Sequence, residues 1–184
     1  MKNRKPYSHL GIFAISLFLL LEWSGSARAQ NATPAEYQVK AVFLYNFTKF
    51  IDWPSTVFRT PSDPFIIGII GNDPFGSYLD ETVAGEKFGT HPIQVKRFSD
   101  AHSASDCQIL YIGSHDQEFT KRVLSEVASK SVLTVSDIPS YYRWEGIVRF
   151  VTENNKIRLH INLEQSRASD LVISSKLLSV AKTN

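Results

Sequence analysis

Apolar residues recur at helical spacing in the stretch QVKAVFLYNFTKFIDWP, residues 38–54. The pattern predicts an amphipathic helix over residues 37–53, ended by Pro54. Its predicted apolar arc comprises Val39, Phe43, Leu44, Phe47, Phe50 and Ile51, and its polar face comprises Thr48, Lys49 and Asp52. Such a helix could form core, lie on a membrane, line a ligand pocket or dock on a partner. A membrane-surface helix would carry a face rich in Lys and Arg. We therefore expect core, with one edge available to a second subunit.

Further along the chain, short apolar runs alternate with helical patterns. Strands are predicted at 65–71, 93–98, 108–113 and 132–135, helices at 75–84 and 117–129, a β-hairpin at 147–161 and a last, interrupted helix at 164–181. Strands that alternate with helices are typical of a parallel sheet covered on both faces. We predict one α/β domain over residues 30–184, with a mostly parallel open sheet flanked by helices and an antiparallel hairpin at one edge.

The amino-terminal residues predict export. Three basic residues within positions 2–5 precede an uncharged run at 10–21, and an Ala-Arg-Ala triplet ends at Ala29. This pattern is typical of a secretory signal peptide, residues 1–29, cleaved after Ala29. Beyond it remain 16 of the 20 basic and 17 of the 18 acidic residues. This balance provides no basic field for nucleic acid or anionic lipid.

Residues suited to metal or catalytic chemistry are not grouped in the sequence. Cys107 is the single cysteine, so an intramolecular disulfide cannot form, and it opens an apolar run where a buried thiol is expected. No histidine pair has the i, i+4 spacing of a metal site, and no G-x-S-x-G motif occurs. In the turn at 71–76, Asp73 and Pro74 favour a capped turn over a phosphate loop. We therefore expect no enzyme activity, no metal and no cofactor.

Three places in the sequence suggest binding. Asn46 lies in the apolar arc of the first helix, where its amide either bonds a loop backbone or serves a ligand or partner. The segment 141–144, Tyr-Tyr-Arg-Trp, combines residue types that dominate binding hot spots; it either docks a partner or folds back over the core. The carboxyl ends of central strands, near Asn72 and Ser114, are where open sheets often bind ligands.

Several segments together resemble the YfiR family. They are YQVKAVFLYNFTKFIDWP at 37–54, IIGNDPFG at 69–76, CQILYIG at 107–113, LTVSD at 133–137, and GIVRFVTENNKIRLHINLEQSRASDLVISSKLL at 146–178. The helix that ends in Trp-Pro and the closing Ile-Ser-Ser-x-Leu-Leu carry most of the resemblance. It implies a small, exported, often dimeric α/β domain that regulates rather than catalyses. Family members often carry several cysteines, whereas this chain has only Cys107. A disulfide switch is therefore not expected here.

The resemblance also implies partners. The family's namesake binds the periplasmic part of an inner-membrane diguanylate cyclase and inhibits it, and an outer-membrane OmpA-like lipoprotein sequesters the namesake. We therefore expect a periplasmic homodimer that lowers cyclic-di-GMP signalling and affects biofilm formation. The alternative is a periplasmic small-ligand-binding sensor that acts with another membrane receptor or kinase. The expected partner-binding residues are Tyr141, Tyr142, Arg143, Trp144 and Glu145. The expected ligand or dimer surface comprises Asn46, Lys49, Trp53, Asn72 and Ser114.

Overall fold

The computed structural model describes residues 33–128, 130–141 and 145–183; the predicted signal peptide lies outside them. The helices are α1 (Pro34–Phe50), α2 (Ser77–Val83), α3 (Gln117–Val127), α4 (Leu163–Ala168) and α5 (Ser175–Leu178). The strands are β1 (Ile51–Asp52), β2 (Phe65–Gly71), β3 (Lys87–Phe88), β4 (His91–Phe98), β5 (Ile109–Gly113), β6 (Leu133–Ser136), β7 (Val148–Glu153), β8 (Lys156–Ile161), β9 (Val172–Ile173) and β10 (Ala181–Thr183). Within these described ranges, no helix is both long and apolar enough to cross a membrane.

The main sheet has the strand order β10-β8-β7-β6-β5-β2-β4-β3. Strands β4, β2, β5, β6 and β7 pair in parallel, and β7 and β8 form the antiparallel hairpin. This arrangement confirms the predicted α/β fold. Strand β10 adds in parallel beside β8, so the hairpin lies one strand in from the edge.

Both faces of the central strands are covered. In β2, Phe65, Ile67 and Ile69 pack into the core on the α1 side, whereas Ile66 and Ile70 pack into a second cluster with residues of α3. Side chains alternate between the faces of a strand. Coverage on both sides therefore explains why FIIGIIG is apolar at every position.

Helix α1 packs across one face of the sheet. Thr33 caps it, because its Oγ1 accepts a hydrogen bond from the Glu36 N–H at 3.3 Å, and Pro34 occupies the first turn. Two expectations about its faces were wrong. Val39 is exposed, and Thr48, expected on the polar face, is buried. The buried stripe runs instead through positions 40, 41, 44, 47, 48 and 51.

The predicted last helix is divided into four short elements. Helix α4 ends where Asp170 adopts a left-handed backbone with φ of 53°. The chain then forms β9, which pairs with β1 so that Ile173 lies opposite Ile51. Helix α2 also differs slightly from its prediction, since it begins at Ser77 after the turn capped by Asp73.

Candidate functional site

A buried charge cluster lies beside the carboxyl ends of β5 and β6. Lys40, on the inner face of α1, is only 2% exposed. Its Nζ donates to Asp137 Oδ2 at 2.6 Å and lies 2.8 Å from Glu36 Oε1. Asp137 directly follows β6. The ammonium group is therefore neutralised within the fold, as a buried charge requires.

Two tyrosines complete this cluster. The Tyr37 hydroxyl donates to Asp137 Oδ2 at 3.0 Å, and the Tyr111 hydroxyl donates to Asp137 Oδ1 at 2.9 Å. Burial alone would raise the pKa of Asp137, but the Lys40 ammonium and both hydroxyls hold it below its usual range. Burial and the Asp137 charge raise the pKa of both tyrosines. Both phenols therefore stay protonated and keep donating.

The cluster is a clamp rather than a reactive centre. It joins α1 to the start of the loop at 137–146, and the Asp137 carboxylate is occupied by three donors. Sequence analysis missed it, because a lysine on an amphipathic helix is usually exposed. The signal that could have revealed it is spacing. Lys40 lies three residues after Tyr37 and four before Leu44, on the face that Ala41 and Phe47 share.

The predicted partner-binding loop is anchored at both ends. Tyr141 is fully buried, and a Cβ added to Gly146 would lie 2.1 Å from its ring, so only glycine fits there. The Tyr141 side chain therefore belongs to the core rather than to a partner-binding surface. Tyr142, Arg143 and Trp144 lie outside the described residues. Glu145 is exposed, with a left-handed φ of 69°.

Asn46 lines an apolar groove between α1 and the segment 176–180. The groove has a volume of about 280 Å³ and is lined by Phe43, Asn46, Phe47, Phe50, Lys176, Leu177 and Val180. Val180 is 63% exposed, and Val39 and Val42 on α1 are exposed too. In the described part of the chain, nothing hydrogen-bonds the Asn46 side chain, so the expected loop-backbone partner is absent there. An unpaired amide in an apolar groove is suited to a partner or ligand.

Lys49 and Trp53 lie in different environments. Lys49 is exposed, with its Nζ 4.3 Å from the centre of the Tyr45 ring. Trp53 is buried, and its Nε1 donates to the Gln108 carbonyl at 3.2 Å. Its ring packs edge-on against Phe65 at 5.0 Å. Trp53 therefore belongs to the core rather than to a surface.

Asn72 and Ser114 meet at the carboxyl ends of β2 and β5. The Asn72 N–H donates to the Gly113 carbonyl at 2.8 Å, and Ser114 Oγ accepts from the Asp116 N–H at 3.2 Å. The five residues expected to form one ligand or dimer surface are thus divided. Asn46 and Lys49 lie on α1, Trp53 lies in the core, and Asn72 and Ser114 lie at the sheet edge.

Metal and thiol chemistry find no grouped residues in the described ranges. No cluster of three or more His, Cys, Asp or Glu side chains there could hold a metal ion. Cys107 is buried, its Sγ donates to the Ala104 carbonyl at 3.1 Å, and burial raises its pKa well above the usual range. The thiol is therefore held in its protonated, unreactive form.

Comparison with known proteins places the chain in a regulatory family. The family model described as YfiR/HmsC-like matches residues 37–182, nearly all of the described fold. The chain belongs to the YfiR/HmsC-like family. This family is periplasmic and regulates diguanylate cyclase signalling, and it is not a catalytic family.

Other comparisons add little. A search of curated proteins finds no match. A solved structure from Vibrio cholerae O1 biovar El Tor, titled as a conserved domain protein, is similar at 13% sequence identity with a TM-score of 0.48. The match covers 64% of this chain and 54% of that one, so the chain spans about half of that structure's length.

Proposed function

We propose that this protein binds the periplasmic sensor domain of an inner-membrane diguanylate cyclase and inhibits it, which lowers cyclic-di-GMP. The observation that carries the proposal is the YfiR/HmsC-like match over residues 37–182. Asp137 and Tyr141, which precede the segment 142–144, are held by the fold. Residues that are already ordered lose little conformational entropy on binding, which supports the proposal.

The proposed cyclase-binding residues are those of the segment 142–145. Tyr142, Arg143 and Trp144 are residue types that dominate hot spots, and exposed Glu145 lies beside them in the sequence. We further propose that an OmpA-like outer-membrane lipoprotein competes for this protein and so releases the cyclase.

The test is a double variant, Arg143→Ala/Trp144→Ala, in the chromosomal copy. We expect it to lose co-purification with the membrane cyclase and to raise cyclic-di-GMP and biofilm formation as gene deletion does. Lys156→Ala, at the exposed hairpin tip, is the control and should leave both readouts unchanged. If deletion of the gene alters neither cyclic-di-GMP nor biofilm, the proposed function is wrong.

We propose that the groove beside Asn46 is the homodimer contact. Its apolar walls and the exposed Val180 form a patch that a second copy would bury. Val180→Asp should shift the protein from dimer to monomer in light scattering, because it buries a charge in the contact. The matched control is Val172→Asp, since Val172 is also 63% exposed but does not line the groove. A wild-type monomer at all concentrations would exclude this contact.

A second candidate function is a sensor for a small ligand. The observation that favours it is the Asn46 amide, which has no partner in the described part of the chain although it lies in an apolar groove. A ligand would raise the melting temperature through its binding free energy, and Asn46→Leu would abolish that rise. A metabolite screen that gives no thermal shift counts against a sensor. Asn72 and Ser114, at the sheet edge, form the other proposed contact for such a ligand.

A further inference from the structure

A second, more polar groove lies beside the amino-terminal ends of β2, β5 and β6. Its volume is about 540 Å³. The residues that decide its chemistry are Phe58, Arg59, Lys96, Asp106, Gln108 and Lys130. They come from four separate segments of the chain, so the fold alone brings them together.

Gln108 lies in the lining of this groove and is only 6% exposed. Its Oε1 accepts from the Ile66 N–H at 2.7 Å, and its carbonyl accepts from Trp53 Nε1 and from the Leu133 N–H. In the described part of the chain, its amide Nε2 has no acceptor. This nitrogen is not among the described buried polar atoms that lack a partner, so it is open to the groove. The Gln108 amide is therefore a donor available to a bound acceptor.

Three cations line the same groove as this amide. Arg59, Lys96 and Lys130 all line the groove and are exposed. None of them forms an ion pair with another described residue. By contrast, Arg97, beside Lys96 on β4, is paired with Asp73 and Asp80. The groove thus gathers positive charge that the fold does not itself neutralise.

Two carboxylates also line the groove. The Asp63 carboxylate is committed to its own loop, since it accepts from the Arg59 N–H at 2.8 Å, the Thr60 N–H at 3.0 Å and the Thr60 hydroxyl at 2.7 Å. Asp106 is exposed and opposes the cations. Hydrogen bonds from neutral groups leave Asp63 charged, so three positive side chains line the groove with two carboxylates. The small positive excess favours an anion.

The groove also has an apolar wall. Phe58 is half-buried, and its ring stacks on His91 with centroids 3.6 Å apart, which fixes its orientation. Val57 lies beside it in the lining. A ligand could therefore place a small organic body on this wall and its charged group among the cations.

We propose that this groove binds an oxyanion, a phosphate or carboxylate carried on a small organic molecule. Gln108 Nε2 donates to the anion from below, and Arg59, Lys96 and Lys130 neutralise its charge. Charge-assisted hydrogen bonds of this kind are about twice as strong as neutral ones. The proposal rests on no part of the cyclase-inhibition function.

The test is an NMR titration of isotope-labelled protein, residues 30–184, with phenyl phosphate, inorganic phosphate and benzoate at constant ionic strength set with chloride. We expect saturable shifts at the Gln108 side-chain amide and the Ile66 N–H. Arg59→Gln/Lys96→Gln should weaken binding about tenfold, and Asp106→Asn should tighten it about threefold. Lys156→Gln, outside the groove, should change nothing.

The three probes separate the sources of the anion. Tighter binding of phenyl phosphate or benzoate than of inorganic phosphate supports an organic ligand, whereas equal affinity supports the free anion. Gln108→Leu should also weaken binding; if it fails to fold, the exposed Arg59 and Lys96 variants decide. Shifts no larger than those with chloride, or affinities unchanged by those variants and by Asp106→Asn, would overturn the proposal.

Discussion

Positively charged side chains lie in opposite environments at the two ends of the parallel sheet. At the carboxyl end, Lys40 is buried and bound to Asp137 at 2.6 Å. At the amino end, Arg59, Lys96 and Lys130 are exposed around a groove and form no ion pair with the other described residues. A buried charge that is paired stabilises the fold. Exposed cations that line one groove with an unpaired amide can instead bind a ligand.

Removing the Asp137 carboxylate, at the carboxyl end of the sheet, should have the largest effect on the free energy of unfolding. Asp137→Ala leaves the Lys40 ammonium buried with Glu36 alone, and we expect the free energy of unfolding to fall by about 3–5 kcal/mol. Urea denaturation measures it. The apolar double variant Lys40→Met/Asp137→Leu should recover part of the loss, because neither charge then remains buried. The recovery is incomplete, since the Tyr37 and Tyr111 hydroxyls lose their acceptor. If Asp137→Ala costs no more than Asp106→Ala at the exposed position, the clamp is not stabilising.

Acid should weaken the Asp137 contacts at the same end of the sheet and so lower the free energy of unfolding. The pKa of Asp137 is lower in the folded protein than in the unfolded chain. Burial raises it, but the Lys40 ammonium and the Tyr111 and Tyr37 hydroxyls together outweigh burial. Its contribution is therefore fully present above the unfolded pKa, near 4, and is lost as the pH falls through the lower folded value. The free energy of unfolding, measured from pH 7 to pH 3, should fall less steeply in Asp137→Asn. Identical profiles for both proteins would show that Asp137 does not control the acid response.

Neutralising the exposed lysines at the amino end of the sheet should have the smallest effect on the free energy of unfolding. Lys96→Gln and Lys130→Gln remove exposed charges without ion-pair partners among the described residues, so each should change the free energy of unfolding by less than about 0.5 kcal/mol. Lys40→Gln, measured alongside, should destabilise strongly. A large loss in Lys96→Gln would place that lysine in the fold and weaken the contrast between the two ends.

The local pattern was a good guide to the elements of the sheet. The run FIIGIIG predicted a strand covered on both faces, and β2 is covered on both faces. The hairpin was also predicted, since Asn154 and Asn155 tolerate the positive φ angles of 51° and 58° that its turn requires.

Long-range contacts were harder to predict. The segment 164–181 has a helical pattern, yet β9 pairs with β1 and β10 pairs with β8, partners distant in sequence. Backbone hydrogen bonds to those strands offset the local helical preference. The candidate sites were similarly divided. Trp53, expected at a surface, lies in the core. Gln108 was not predicted as a site residue, because the contact of its Oε1 with the Ile66 N–H, which leaves Nε2 unpaired, depends on tertiary structure.

By itself, the sequence determined the α/β layers, because hydrophobic period and turn residues act over a few neighbouring positions. It also carried the YfiR resemblance, which the family match confirms. Tertiary contacts, in contrast, determine which lysines are buried in ion pairs and which are exposed. Lys40 and Lys96 are the same residue type, and their difference arises from what the fold places within 3 Å of each ammonium group. For Lys40 that is Asp137, 97 positions away along the chain.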